Sequence, residues 1–130
     1  MSDIIKTWPS FVNPRKVAEM FYGEPFGTYY FALGRGKPKQ NIERLWFTYR
    51  GRILGCFKIE RIIVNDGNLP RLRSLSGEES EWQIKPDAYV AICSPPCEKP
   101  GHRAFMTGFR GWRYFDVDKY TQTPESRMRL

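Results

Sequence analysis

Residues 42–64 read IERLWFTYRGRILGCFKIERIIV, and this segment carries the clearest secondary-structure signal in the chain. It contains two runs rich in β-branched and aromatic residues, 42–49 and 52–64, which are typical of strands. Arg50-Gly51 separates the runs by two residues and predicts a tight antiparallel β-hairpin. This turn fixes the expected cross-strand pairs, which are Tyr49–Arg52, Thr48–Ile53, Phe47–Leu54, Trp46–Gly55, Leu45–Cys56, Arg44–Phe57, Glu43–Lys58 and Ile42–Ile59.

Both faces of this hairpin are rich in apolar residues, so we expect one face to line a core and the other to be covered as well. The cover that the sequence offers is a short helix over residues 14–22. Asn13 precedes Pro14 as an N-cap, and Gly23 is a C-terminal stop. The apolar face of this helix has the expected i, i+3, i+4 spacing at Val17, Met20 and Phe21.

The rest of the chain predicts short strands and turns. We expect an extended segment over residues 1–12 and strands over 27–33, 87–92, 103–106 and 109–117. Loops are expected at 34–40, 69–81 and 94–101, and a loose tail from about residue 121. The predicted class is α+β, mostly β: a small bent sheet or β-barrel with one or two short helices packed on it. The length of 130 residues suits a single domain, 1–130.

Charge and cysteine content narrow the expected partners and setting. The chain has 21 basic and 14 acidic residues and a formal net charge of +7. Such an excess favours a polyanionic partner, RNA or DNA. No basic amphipathic helix or bilayer-spanning apolar stretch is present, so no membrane association is expected. The three cysteines are too few for a disulfide framework, which predicts an intracellular, cytoplasmic setting.

Aromatic residues alternate with arginine late in the chain, in Gly108 to Tyr114 (GFRGWRY). Alternation on a strand places Arg110, Trp112 and Tyr114 on one face and Arg113 on the other. Aromatic rings stack on bases and guanidinium groups contact phosphates, so these residues are predicted to bind nucleic acid. The alternative is that the aromatic side chains fill the core.

Two further elements complete the predicted nucleic-acid site. Trp46 is a second candidate for base stacking, with a core position as the alternative. Arg35, Lys37 and Lys39 lie in the loop 34–40, where glycines expose backbone N–H groups to phosphate. The alternative for this loop is an ordinary solvated turn.

The run Leu45 to Gly55 (LWFTYRGRILG) resembles the strand-turn-strand of PUA-like domains, a superfamily with PUA, ASCH, EVE and YTH groups. The resemblance covers about residues 26–117, with 109–115 (FRGWRYF) as the strand that closes the barrel. It implies a barrel that binds RNA or a modified, flipped base. Members of the ASCH group that hydrolyse modified nucleosides imply an alternative activity, for which Lys37, Glu43 and Thr48 are the corresponding catalytic residues.

Metal and catalytic patterns are weaker. Cys93, Cys97 and His102 have a spacing that zinc can use, and the alternative is a loop with free thiols. With a single histidine, no Ser–His–Asp set can be argued beyond its single pieces, so the sequence favours a binding protein over an enzyme, and we expect no cofactor apart from this zinc site. The sequence therefore favours a nucleic-acid-binding module. The alternatives are an ASCH-type hydrolase and a small protein-interaction or inhibitor module.

Overall fold

A computed structural model describes residues 2–23, 29–39, 41–67, 72–73, 79–80, 85–98, 106 and 108–116. The elements are β1 (Ser2–Trp8), α1 (Pro14–Tyr22), β2 (Tyr29–Gly34), β3 (Ile42–Tyr49), β4 (Arg52–Val64), β5 (Leu72–Arg73), β6 (Glu79–Ser80), β7 (Tyr89–Glu98) and β8 (Trp112–Phe115). Six strands form one curled sheet in the order β2-β7-β4-β3-β1-β8, and β5 pairs with β6. The predicted mostly-β class with a bent sheet is therefore confirmed.

The central hairpin has the predicted strand bounds and the predicted turn. Arg50 and Gly51 both have positive φ angles, 49° and 80°, as a two-residue type I′ turn requires. Arg50 is held in this unusual conformation by its guanidinium, whose Nε and Nη2 donate to the carbonyl of Ser10 at 3.0 and 2.9 Å.

The predicted pairing is correct next to the turn and wrong beyond it. Tyr49–Arg52 and Thr48–Ile53 pair as expected, but a bulge then places Trp46 opposite Cys56 instead of Gly55. Leu45–Phe57 and Arg44–Lys58 follow in the shifted register, which replaces the predicted opposite-charge pairing. The extra residue lies on β4 beside Gly55, where a Cβ would stand 2.0 Å from the carbonyl oxygen of Glu98. Only glycine, which lacks a Cβ, permits β7 to approach so closely, and the bulge accommodates the extra residue of β4 at this point.

Helix α1 has the predicted bounds and the predicted cap. The Asn13 side chain accepts from the backbone N–H of Arg15, and Pro14 is the first helical residue. The apolar face of α1 packs into the main cluster of the core, which also contains buried residues of β1, β2, β3, β4 and β7. In the part of the chain that the structure describes, no helix is long and apolar enough to span a bilayer.

The helix was predicted to cover the second face of the hairpin, and this prediction is wrong. The segment around β8 covers that face instead. A second cluster joins Ile5, Trp46, Ile53, Cys56 and Phe115, with Met106 and Phe109 packed against it. The cover comes from this segment because β1 lies between β3 and β8, parallel to β3 and antiparallel to β8.

Strand β7 continues into the segment 94–101 that was predicted as a proline-rich loop, of which the structure describes residues 94–98. It runs to Glu98, and Pro96 is the partner of Phe57 on β4. The prolines are tolerated because β2 pairs with β7 only as far as Cys93. Beyond Cys93 the strand has one hydrogen-bonded neighbour, which is the position where proline is found in sheets.

The other element predictions differ in their limits. Strand β8 starts at Trp112 instead of residue 109, directly after Gly111 with its φ of 71°. The segment 69–81, predicted as a loop, contains β5 and β6. Residues 103–105 of a predicted strand, and the predicted tail from residue 121, lie outside the described residues.

Candidate nucleic-acid interface

The predicted basic loop and the predicted aromatic strand meet in the structure. The backbone N–H of Lys39 donates to the Tyr114 hydroxyl at 2.8 Å. The indole Nε1 of Trp112 donates to the Gly36 carbonyl at 2.9 Å. These bonds join residues 75 and 76 positions apart, so two candidate groups identified separately in the sequence form one surface.

The topology explains this contact. β2 and β8 are the two outer strands of the curled sheet, and the basic loop directly follows β2. Lys6, the partner of Trp112 on β1, extends its Nζ to the carbonyl of Ala32 on β2. Side chains of β1 and β8 therefore bridge to β2 and to the loop that follows it. Burial lowers the pKa of Lys6, because an ammonium group loses solvation there.

Trp112 and Tyr114, which we term the aromatic pair, project from the same face of β8. Their rings are 5.1 Å apart at an interplanar angle of 84°. Trp112 is half-buried against the main cluster, whereas 44% of Tyr114 is exposed. Trp112 is thus anchored and Tyr114 offers ring surface to solvent, an arrangement suited to stacking on a base.

A basic cleft of about 590 Å³ begins at the same loop. Lys37, Lys39 and Arg61 supply its cationic side chains, with Glu60 as the acidic one, and Ile42 and Ile59 contribute apolar walls. The three cationic residues are all exposed. Lys39 lines the cleft and contacts Tyr114 through its N–H, so the basic cleft and the aromatic pair are contiguous.

Not every predicted binding residue joins this surface. The guanidinium of Arg113 lies 4.2 Å from the ring centre of Phe109, which packs against the second cluster. Arg113 therefore faces away from the aromatic pair. Arg35 and Arg110 are exposed, one in the loop after β2 and the other in the bend before β8.

The prediction that Trp46 stacks on a base is wrong. Trp46 is fully buried, and its Nε1 donates to Asp3 Oδ2 at 3.0 Å. The same oxygen accepts from Arg44 Nη2 at 3.0 Å. Burial alone would lower the pKa of Arg44, but the hydrogen bond and ion pair with Asp3 raise it above its ordinary value. Trp46 is thus a core residue whose indole is held by a buried hydrogen bond to Asp3.

The residues implied by the hydrolase alternative are not equivalent in their surroundings. Lys37 lines the basic cleft and Glu43 is exposed on β3. Thr48 is fully buried, and its hydroxyl donates to the carbonyl of Met106 at 3.1 Å. A threonine committed in this way has no access to a substrate, so the implied catalytic role of Thr48 is wrong.

The cysteines of the predicted zinc site lie in different surroundings. Cys93 is buried in the main cluster, whereas Cys97 is exposed and contacts Cys56. His102 lies outside the described residues. Within the ranges that the structure describes, no group of three His, Cys, Asp or Glu side chains is arranged to hold a metal ion.

Sequence reasoning missed two residues, Lys6 beneath this surface and Arg61 in the basic cleft. Lys6 lies between Ile4 and Trp8 in the alternation of β1, and both of these residues are buried in the main cluster. Alternate residues of a strand share a face, so this pattern is a signal that Lys6 points toward the core. Arg61 lies on the part of β4 that extends beyond the hairpin. Its place beside Lys37 and Lys39 depends on tertiary structure and has no local signal.

Comparisons with protein-family models, curated proteins and solved structures find no match for this chain, so the arrangement of these residues alone carries the functional inference.

Proposed function

We propose that this protein is a nucleic-acid-binding module that holds an unstacked base of RNA or DNA against the aromatic pair and the adjoining phosphates in the basic cleft. The observation that carries the proposal is the position of Lys39. Its N–H donates to Tyr114 and its side chain lines the cleft beside Lys37 and Arg61. One residue therefore links a stacking surface to a cationic groove.

The chemistry of the two parts matches the two parts of a nucleotide. A flat ring stacks on any base, since every base has a π-face. Cationic side chains neutralise phosphates and release the ions condensed around them, which supplies most of the sequence-independent affinity. The cleft also contains Glu60, whose carboxylate accepts from the Ser94 hydroxyl. We expect this negative charge to limit how deeply a phosphate enters.

The same ligand class follows from the resemblance to PUA-like domains, most of which bind RNA or modified bases. That resemblance is carried by residues 45–55. The function proposed here does not need it, because it depends on the exposed ring and the three cations.

The test replaces the exposed member of the aromatic pair. Tyr114→Ala removes the ring, and the loss of one stacked base, about 1–3 kcal/mol, corresponds to a roughly 5- to 150-fold weaker Kd. Tyr114→Phe keeps the ring and loses only the hydroxyl that accepts from Lys39. It should therefore weaken binding less than Tyr114→Ala. Fluorescence anisotropy with labelled single-stranded RNA and DNA oligonucleotides at low salt measures both.

Tyr22→Ala is the matched control, because Tyr22 is also an exposed tyrosine but lies on α1. It should leave the Kd unchanged. The proposal fails if the unmodified protein binds neither oligonucleotide at low salt, or if Tyr114→Ala and Tyr22→Ala give the same Kd.

A further inference from the structure

Two of the three cysteines are in sulfur–sulfur contact in the fold. Cys56 Sγ on β4 and Cys97 Sγ on β7 are 3.0 Å apart, although the residues are 41 positions apart in sequence. The paired strands bring them together, since Cys56 is the cross-strand partner of Glu98, the neighbour of Cys97. A disulfide bond is about 2.05 Å long, so the two sulfurs need to approach by only about 1 Å.

The two thiols differ in access to solvent. Cys97 is exposed, whereas Cys56 is fully buried beneath the second face of the sheet. An oxidant from solution therefore reaches Cys97 first. Cys56 is in contact with Cys97, so it is the thiol placed to attack the Cys97 sulfur in a second step.

The surroundings also favour ionisation of the exposed thiol. The hydrogen bond from Cys56, a backbone hydrogen bond and the positive charge of Arg44 together lower the pKa of Cys97 to about 7, against the opposing effects of burial and of the Asp3 carboxylate. The same hydrogen bond, together with burial, raises the pKa of Cys56. The thiolate is the nucleophilic form of cysteine, so Cys97 is the more reactive of the two near neutral pH.

We propose that Cys56 and Cys97 are a redox site that forms a reversible intramolecular disulfide, with Cys97 as the thiol that reacts first with a low-molecular-weight disulfide such as oxidised glutathione. The Cys97 thiolate attacks one sulfur of glutathione disulfide, that S–S bond breaks, and one glutathione leaves as a thiolate and takes up a proton. This step gives a mixed disulfide on Cys97.

Cys56 then loses its proton to water and attacks the Cys97 sulfur, which releases the second glutathione. Once Cys97 is in the mixed disulfide, it no longer takes part in the hydrogen bond that holds the proton on Cys56. The protein dithiol is oxidised by two electrons, and one glutathione disulfide is reduced to two glutathione thiols. The reverse exchange with excess thiol restores the dithiol.

Cys93 serves as the internal control. It is buried in the main cluster, among the side chains of Tyr29, Phe57 and Ala91, and not in the second cluster where Cys56 lies. Desolvation raises its pKa, so it stays a protonated, inert thiol.

The test incubates the folded protein with oxidised glutathione, blocks remaining thiols with N-ethylmaleimide under denaturing conditions, and measures intact and peptide masses. The unmodified protein and Cys93→Ser should lose two blockable thiols and carry no glutathione. Cys56→Ser should accumulate one glutathione on Cys97, because the second step is missing. Cys97→Ser should remain unmodified, and treatment of the oxidised protein with dithiothreitol should restore both thiols.

Peptide mapping of the unmodified protein keeps the test independent of whether the variants fold. A peptide that links Cys56 to Cys97 supports the proposal. The proposal is overturned if all three thiols remain blockable after exposure, or if the linked peptide contains Cys93. Neither outcome depends on nucleic-acid binding, so the redox site and the proposed function are tested separately.

Discussion

Replacing Asp3 with alanine should destabilise the protein by about 1.5–3.5 kcal/mol, which lowers Tm by about 10 °C in a chain of this size. Asp3 Oδ2 accepts from the indole of Trp46 and from Arg44, each at 3.0 Å. The indole is fully buried, so losing its acceptor costs the desolvation of an unpaired N–H, about 1–3 kcal/mol. The Arg44 side chain is 35% exposed, and solvent screening limits that ion pair to about 0.5 kcal/mol.

Urea denaturation followed by tryptophan fluorescence measures this loss, and two variants control it. Asp3→Asn retains an oxygen acceptor for the indole and should lose less stability than Asp3→Ala. Glu19→Ala removes an exposed carboxylate on α1 and should change the free energy of unfolding by less than about 0.5 kcal/mol. If Asp3→Ala is within about 0.5 kcal/mol of the unmodified protein, the role of Trp46 as a buried anchor is wrong.

Three other changes test separate parts of the structure. Gly55→Ala should lower the free energy of unfolding in urea by about 1–3 kcal/mol or more, because the new Cβ would stand 2.0 Å from the carbonyl oxygen of Glu98. Gly36→Ala is the control and should leave it nearly unchanged, because the nearest atom to its Cβ is 3.9 Å away. Equal losses for the two variants would contradict the bulge. Iodoacetamide should alkylate Cys97 at a rate that rises with pH around a midpoint near 7, because the thiolate reacts, and a midpoint near the ordinary 9.0 would contradict the lowered pKa. The Cys56–Cys97 disulfide should raise the free energy of unfolding in urea by up to about 4 kcal/mol, because it closes a loop between residues 41 positions apart. An oxidised form that is less stable than the dithiol would contradict this prediction.

Local signals in the sequence were sufficient for the helix and for the hairpin turn. Asn13 and Pro14 define the start of α1, and the two-residue turn at Arg50-Gly51 defines the ends of β3 and β4. These features depend on neighbours in the chain, so sequence reasoning finds them. The bulge at Gly55 depends instead on the carbonyl of Glu98, a distant residue, so the sequence could not reveal it.

The candidate site was predicted as separate pieces. Trp112 and Tyr114 were identified as binding residues by their alternation with arginine, and Lys37 and Lys39 by their glycine-containing loop. What joins them is the curl of the sheet, which brings the loop after β2 against β8. That contact, like the position of Arg61, follows from strand order, and strand order has no local signature in the sequence.

Contacts between residues distant in the sequence also explain the error over Trp46 and the missed thiol pair. The predicted register placed Trp46 opposite Gly55 and gave no contact between Cys56 and Cys97. One extra residue at the bulge moved Cys56 opposite Trp46, and the continuation of β7 past its prolines brought Cys97 to Cys56.

In the proposed function, the cations of the basic cleft contact phosphates. Lys37, Lys39 and Arg61 are therefore replaced together by glutamine. A matched variant removes the same charge from exposed positions outside the cleft, at Arg15, Lys16 and Lys85. Both variants have the same net charge, so only the location of the lost charges differs.

The decisive measurement is the salt dependence of the binding constant for a single-stranded oligonucleotide, compared between these two variants. Each phosphate contact contributes about 0.7 to the slope of log K against log salt, so removing three cations of the cleft should reduce the slope by about 2. The matched variant should retain the slope of the unmodified protein. Equal slopes for the two variants would contradict the proposed role of the basic cleft, because the charge responsible for binding would then not lie there.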